Sequence, residues 1–320
     1  MFCPHIICLA FVWVLLTVSG LAQTDPFQGQ RVLWLGDSIT QMGGYVSMTD
    51  YYLERWFPHD QIDIVSIGLA SETTSGLSEK THPFPRPCVH ERLARALELV
   101  KPTLVVACYG MNDGVYAPSS PERFKAFQDG ITKLVTAVQN AHAKLILLTP
   151  TPFESFKLKC VPETAPDFGF SAPYEKYDDV LAEFAKWELT LASKDITVID
   201  LHTPISQYLA AQQAQDPKFG LTRDGIHPQE LGALLMSKVI VESLTGKKLS
   251  DNIQSELSSI RTDPLYRAVT AQRRARSDGW LAYVGYTRGK TVKSDDITKT
   301  EADFTAAQLK IDKIRNPSGP

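Results

Sequence analysis

The 320-residue sequence is short of several things, and each shortage narrows what the protein can be. It has five cysteines and seven histidines, with no Cys-x-x-Cys and no paired His spacing, so nothing in the pattern builds a zinc site. His82, His90 and His202 lack any ligand pattern, and no metal or cofactor is expected. It has no excess of positive charge. A net charge of -3 leaves no broad basic surface for a phosphate backbone, which argues against nucleic acid as the partner. It has no internal repeat and no low-complexity tract, and 43% hydrophobic with 22% charged residues is the composition of a chain with a full core.

The first 22 residues contain no Asp, Glu, Lys or Arg, and the apolar run from Ile6 to Val18 precedes Ser19, Gly20, Leu21 and Ala22. This reads as a signal peptide over 1–22, cut after Ala22, and hence as an exported protein, periplasmic or extracellular. The competing reading is a retained membrane anchor. The run is short for a span of roughly 20 residues, and no later stretch could cross a bilayer, so stable membrane insertion is expected only if this segment is kept. Removal of Cys3 and Cys8 with the signal leaves Cys88, Cys108 and Cys160. Cys108 continues a buried apolar run, so Cys88 and Cys160 are the candidate disulfide pair in an oxidising compartment.

Five short runs rich in Val, Ile and Leu are present: Val32 to Leu35, Ile62 to Ile67, Leu104 to Ala107, Leu145 to Leu148, and Ile196 to Ile199. Such runs are buried parallel strands when helical segments separate them. Ser120-Pro121 starts one such segment, whose stripe runs through Phe124, Phe127, Ile131, Leu134, Val135 and Val138; others lie near Tyr174 to Ala192 and after Pro228. The order predicts an α/β fold, a three-layer α/β/α sandwich around a parallel sheet. Ligands of such sheets bind beyond the carboxyl ends of the strands. The Thr149 to Pro173 loop, with five prolines, is expected to form part of a substrate rim.

Those strand ends carry chemistry. Ser38 follows a strand and a glycine and precedes a helix start, the position of a nucleophile whose own N–H is free. Its base would be His227, which Asp224 precedes by three residues and could orient. The N–H groups of Gly68 and Ser38 and the amide of Asn112 come from three strand ends and could form an oxyanion hole.

Taken together, Gly36-Asp37-Ser38-Ile39-Thr40, Gly68, Gly110-Met111-Asn112-Asp113 and Asp224-Gly225-Ile226-His227 resemble, in family order, the four blocks of the SGNH (GDSL-type) serine hydrolases. The resemblance spans about Arg31 to Leu244. It implies a flavodoxin-like sandwich of five parallel strands, a catalytic set of Ser38, Asp224 and His227, oxyanion donors at Ser38, Gly68 and Asn112, and no cofactor. The expected activity is hydrolysis of a small-molecule or glycan ester through an acyl-enzyme, with short-chain esters such as glycan O-acetyl groups as first choice. The alternatives are a lipase, lysophospholipase or thioesterase for longer acyl chains, whose slot Phe153, Phe156, Phe168 and Phe170 could line, and a non-catalytic glycan-binding protein.

The hydrolase domain is expected over 28–248. Residues 249–320 fall outside the pattern and differ in charge: positions 261 to 320 hold 12 basic and 7 acidic residues. This segment is expected to be a mainly helical extension docked on the catalytic domain, with Phe304, Ala307, Ile311 and Ile314 on its apolar stripe. Arg267, Arg273, Arg274 and Arg276 read as a solvated helix face, and Trp280, Tyr283 and Tyr286 as a packing anchor or, failing that, a sugar platform.

Overall fold

The computed structural model describes residues 25–292 and 296–316; the expected signal segment, 1–22, lies outside them. A single sheet holds β1 (Arg31–Gly36), β2 (Asp63–Ser66), β3 (Leu104–Cys108), β4 (Lys144–Leu148) and β5 (Ile196–Ile199). All pairs are parallel, in the order β2-β1-β3-β4-β5. Every expected strand forms to within one residue at each end. The strands read as unbroken apolar runs because both faces are covered; all five β3 residues are buried.

Between and after the strands come α1 (Ser38–Met42), α2 (Gly44–Trp56), α3 (Leu93–Val100), α4 (Pro121–Asn140), α5 (Tyr177–Glu188), α6 (His202–Gln213) and α7 (Glu230–Thr245). The C-terminal region adds α8 (Ile253–Thr262), α9 (Pro264–Val284), a short hairpin of β6 (Thr287–Arg288) and β7 (Lys290–Thr291), and α10 (Ile297–Arg315). One helical layer centres on α4, capped by Ser120 and stacked through Phe127 on Phe184 of α5 with ring centroids 4.0 Å apart. The other holds α2, packed against both α7 and α9. Ten of the thirteen α2 residues are buried.

The C-terminal region is attached through buried polar contacts. Arg273 and Arg276 of α9 are buried, whereas Arg267 and Arg274 are exposed, so the expected solvated basic face is split in two. Arg273 Nε donates to Ser47 Oγ at 2.5 Å, and Arg276 pairs with Asp63 at 2.7 Å and Glu301 at 2.9 Å. Arg315 of α10 reaches the buried Glu54 of α2. Trp280 is buried, with its indole N–H donating to Glu301 at 2.7 Å, which makes it a packing anchor. Ile311 is buried within the same apolar cluster that contains the sheet.

The expected Cys88–Cys160 disulfide does not form: both are free thiols, as is Cys108. Cys88 Sγ points to Thr74 O at 3.7 Å, beside the bridge that joins Thr73 to Cys88, while Cys160 Sγ points to Ser155 O within its own loop. The two thiols answer to different local turns, and loop origin at one sheet edge does not set the direction of the side chains.

Candidate active site

The carboxyl ends of β1, β2 and β3 open onto a cleft of about 350 Å³. Ser38, Ser71, Asn112 and His227 line it, and His82, Phe84, Phe170 and Arg288 stand around them. A second cavity, about 230 Å³, lies between Arg92, Arg95 and the β6–β7 hairpin and includes none of the first four. Among the described residues no group of three or more His, Cys, Asp or Glu is arranged to hold a metal ion.

Ser38 is brought to the cleft by the short turn from β1 into α1. Asp37 caps that helix, its Oδ1 accepting from Ile39 N at 2.9 Å. Burial pushes the Asp37 carboxyl up to about 7, against the opposing Ile39 hydrogen bond, and the neighbouring Asp113 and Glu72 carboxylates add to the rise.

His227 comes from the loop before α7. Arg223 N donates to His227 O at 2.9 Å and Gly225 N to Thr222 Oγ1 at 2.9 Å, closing the loop on itself. Gly225 has a φ of 83°, and a Cβ there would meet Glu154 O at 2.9 Å and Leu158 Cδ1 at 2.8 Å, so glycine is required on both counts. His227 Nε2 lies 2.9 Å from Ser38 Oγ, and its Nδ1 lies 2.8 Å from Asp224 Oδ2. A carboxylate only accepts, so Nδ1 carries the proton and Nε2 is left to accept from the serine hydroxyl. Burial would raise the Asp224 carboxyl, but the His227 backbone N–H and imidazole outweigh it and hold Asp224 below its ordinary value.

Asn112 is buried at the end of β3 and its orientation is fixed. Its Oδ1 accepts from Arg86 Nη1 at 2.9 Å and Tyr116 OH at 3.0 Å, and its Nδ2 donates to Glu72 O at 3.2 Å. Asp113 beside it ties β3 to the β2 loop, accepting from Thr74 N, Thr74 Oγ1 and Ser75 N at 2.7 to 2.8 Å and from Gly110 N at 3.0 Å.

Gly68 is placed differently from the other sequence candidates. It is buried and absent from the cleft lining; a Cβ there would lie 2.3 Å from Gln41 N, so its function in the fold is close approach of the β2 end to α1. The residue of that loop that does face the cleft is Ser71, three positions on. It occupies the third position of a turn closed by Glu72 N donating to Leu69 O at 3.1 Å, with a φ of 70° that L-residues seldom adopt. Its N–H donates to no group of the described residues. Ser71 is not among the sequence candidates, which place Gly68 in this loop; a glycine is the usual occupant of such a turn. Nor are Arg86, Glu79 and Tyr116, isolated polar residues in loops with no motif around them.

Of the four phenylalanines in the 149–173 loop, only Phe170 reaches the cleft. Phe153 is buried against Tyr116 and Tyr177, Phe168 packs on Tyr174, and Phe156 is exposed beside Lys157. The sugar-platform reading of the Trp280 region has no place either, since none of Trp280, Tyr283 and Tyr286 lines the cleft.

Ser38, His227 and Asp224 thus stand in one hydrogen-bonded line at the carboxyl edge of a parallel five-stranded sandwich. The sequence profile of the GDSL-like lipase/acylhydrolase family matches residues 34–235, well over half of the chain, and the protein belongs to that family of carboxylic ester hydrolases. Similar solved structures include two variants of Axe2, an acetyl-xylooligosaccharide esterase from Geobacillus stearothermophilus. One has 17% identity and a TM-score of 0.53, with 72% of this chain and all of that one covered. The other has 18% identity and a TM-score of 0.52, over 71% of this chain and all of that one. The gut microbial diltiazem-metabolizing enzyme BT4096 is similar at 20% identity and a TM-score of 0.52, over 69% of this chain; this chain spans about half of that enzyme's length. At these identities the likeness is one of fold. No functionally curated protein matches the sequence.

Proposed function

We propose that the protein is an exported esterase that cleaves short-chain esters, glycan O-acetyl groups foremost, through an acyl-enzyme on Ser38. The observation that carries the reading is the continuous hydrogen-bonded line from Ser38 Oγ through His227 to Asp224, 2.9 and 2.8 Å. In the first step Ser38 Oγ bonds the ester carbonyl carbon while its proton passes to His227 Nε2 and the carbonyl π pair moves onto oxygen. Collapse expels the alcohol, which takes the proton from His227. Water repeats the sequence, releasing the acid and restoring Ser38. Asp224 stays ionised and stabilises the imidazolium that forms between the two proton transfers.

The developing oxyanion would meet the second Nδ2 hydrogen of Asn112, the Ser38 N–H, which at the first turn of α1 has no intrahelical acceptor, and the Ser71 N–H in the role that the sequence assigned to Gly68. Preference for short acyl groups is supported by the lining: Thr81, His82, Arg86, Ser171 and Arg288 are polar, and only one phenylalanine of the 149–173 loop contributes. Phe84, Tyr116 and Phe170 add apolar surface between these polar groups, and an open, mixed lining of this kind suits a sugar, which presents both ring faces and hydroxyls, better than a long alkyl chain. Export is supported by the uncharged first 22 residues. A panel of p-nitrophenyl esters from acetate to palmitate, followed by acetylated oligosaccharides, tests the proposal. Turnover should be fastest on acetate and absent in Ser38→Ala; fastest turnover on palmitate would assign a lipase, and binding of a polysaccharide without any turnover would assign a glycan-binding protein.

A further inference from the structure

The cleft wall contains a buried cation with no task in the reaction just described. Arg86 has a side chain only 2% exposed, and Glu79, 3% exposed, holds it at both ends: Nε and Nη2 each donate to a Glu79 oxygen at 2.6 Å. Glu79 Oε1 also accepts from Phe170 N at 3.2 Å, so the pair is tied into the rim loop. The remaining guanidinium nitrogen, Nη1, is directed at Asn112 Oδ1, 2.9 Å away, with Ser71 O at 3.4 Å.

Two donors on Oδ1, the guanidinium and Tyr116 OH, leave the Asn112 amide one orientation. The reverse would set its NH2 against two donors. With Oδ1 fixed, Nδ2 must turn to the opposite side, where Glu72 O takes one hydrogen and the other is left for the cleft. A charged donor on the amide oxygen also draws electron density from nitrogen and strengthens the remaining N–H as a donor, in surroundings where buried Glu72, Asp37 and Asp113 otherwise disfavour an anion.

We propose that Arg86, held by Glu79, is a positioning residue that aims and polarises the Asn112 amide at the oxyanion and steadies the turn at Ser71. The inference rests on the ester-hydrolase reading of the cleft. Arg86 acts through Asn112 and does not itself touch the reacting atoms.

A double-mutant cycle on p-nitrophenyl acetate tests it, with Arg86→Met, Asn112→Ala and the combined variant, and with melting temperatures alongside. Arg86→Met should lower kcat about 10- to 100-fold, below the 10²- to 10³-fold typical for outright loss of an oxyanion donor, with KM within about threefold. In the Asn112→Ala background the same substitution should cost less than about threefold, because the residue it acts through is gone. If Arg86→Met fails to fold through its orphaned Glu79 charge, Glu79→Gln/Arg86→Met removes both charges and takes its place in the cycle. Guanidinium added to Arg86→Ala should restore part of kcat and should do nothing for Asn112→Ala. Full losses that add across the cycle, or an unchanged kcat in Arg86→Met, overturn the inference. Ser38→Ala run in parallel separates the two levels: loss of its activity together with an additive cycle overturns the role of Arg86 alone, whereas activity retained in Ser38→Ala overturns the reading of the cleft beneath it.

Discussion

Arg276 Nη1 donates to the backbone carbonyl of Ile64 at 2.9 Å, linking a helix of the C-terminal region to β2, the outer strand of the sheet. Strand edges with free carbonyls are templates for wrong pairing, and a helix laid over one removes that hazard. The same guanidinium forms ion pairs with Asp63 and Glu301 and stacks over Phe304, 3.6 Å from the ring centroid. The contacts of α9 with the sheet thus have a specific chemical basis in one buried guanidinium.

Arg276→Met is therefore expected to destabilise the protein by about 3 kcal/mol, the scale for removing one partner of a buried charged network. Its urea midpoint should fall, and a chain ending at residue 248 should unfold at still lower urea or aggregate. Equal midpoints for the full-length and shortened chains would show that the extension is not part of the folded unit.

Ser71 gives a prediction of opposite sign. At a φ of 70° a glycine is relieved of the strain that a Cβ incurs, so Ser71→Gly should gain roughly 1 kcal/mol. If its contribution is the backbone N–H, activity should stay within about threefold, because that group survives the change. A large loss of kcat in Ser71→Gly would move the contribution to the hydroxyl. Gly68→Ala is the counterpart: with Gln41 N at 2.3 Å from the new methyl, the β2–α1 contact must open and stability should drop.

Much of this arrangement is legible from residue order alone. The five strands are apolar runs bounded by polar loops, and Ser38, Asn112 and His227 stand where strand ends or helix starts put them. What escapes depends on contacts between distant segments. α2 escapes because its polar residues Ser47, Asp50 and Glu54, spaced i, i+3 and i+7, are themselves buried, Ser47 receiving Arg273 and Glu54 receiving Arg315, so the helix has almost no solvent face. Arg273 and Arg276 look like surface residues because Ser47 Oγ, which receives the first, and Ile64 O and Asp63, which receive the second, lie more than 200 positions away. Cys88 and Cys160 look like partners because a sequence shows which loop a thiol is on and not the direction in which it points. Ser71 is hidden by its identity, since a serine in a left-handed turn is set by the closing hydrogen bond and not by propensity.

Glu188, at the end of α5, is buried and its Oε2 has no hydrogen-bond partner. Burial, with a smaller contribution from the charge of Asp113, pushes its carboxyl well above the usual range. The folded state therefore keeps a proton that the unfolded chain releases above about pH 4.5, and this group's contribution to stability declines as pH rises from there toward the folded-state value. Glu188→Gln has no such proton to lose. Its melting temperature relative to the wild type should be nearly level at pH 4 to 5 and should gain steadily toward pH 8; a difference independent of pH would mean that Glu188 is ionised in the fold.

The proposed chemistry stands or falls on Ser38 Oγ, which a fluorophosphonate probe reads directly. Intact protein mass should rise by one probe adduct, on the peptide that contains Ser38. Labelling should be absent in Ser38→Ala and slowed by at least about 10²-fold in His227→Ala, since nucleophile and base act as a unit. Adduct formation at the wild-type rate in Ser38→Ala, or ester turnover by that variant within tenfold of wild type, would contradict the account.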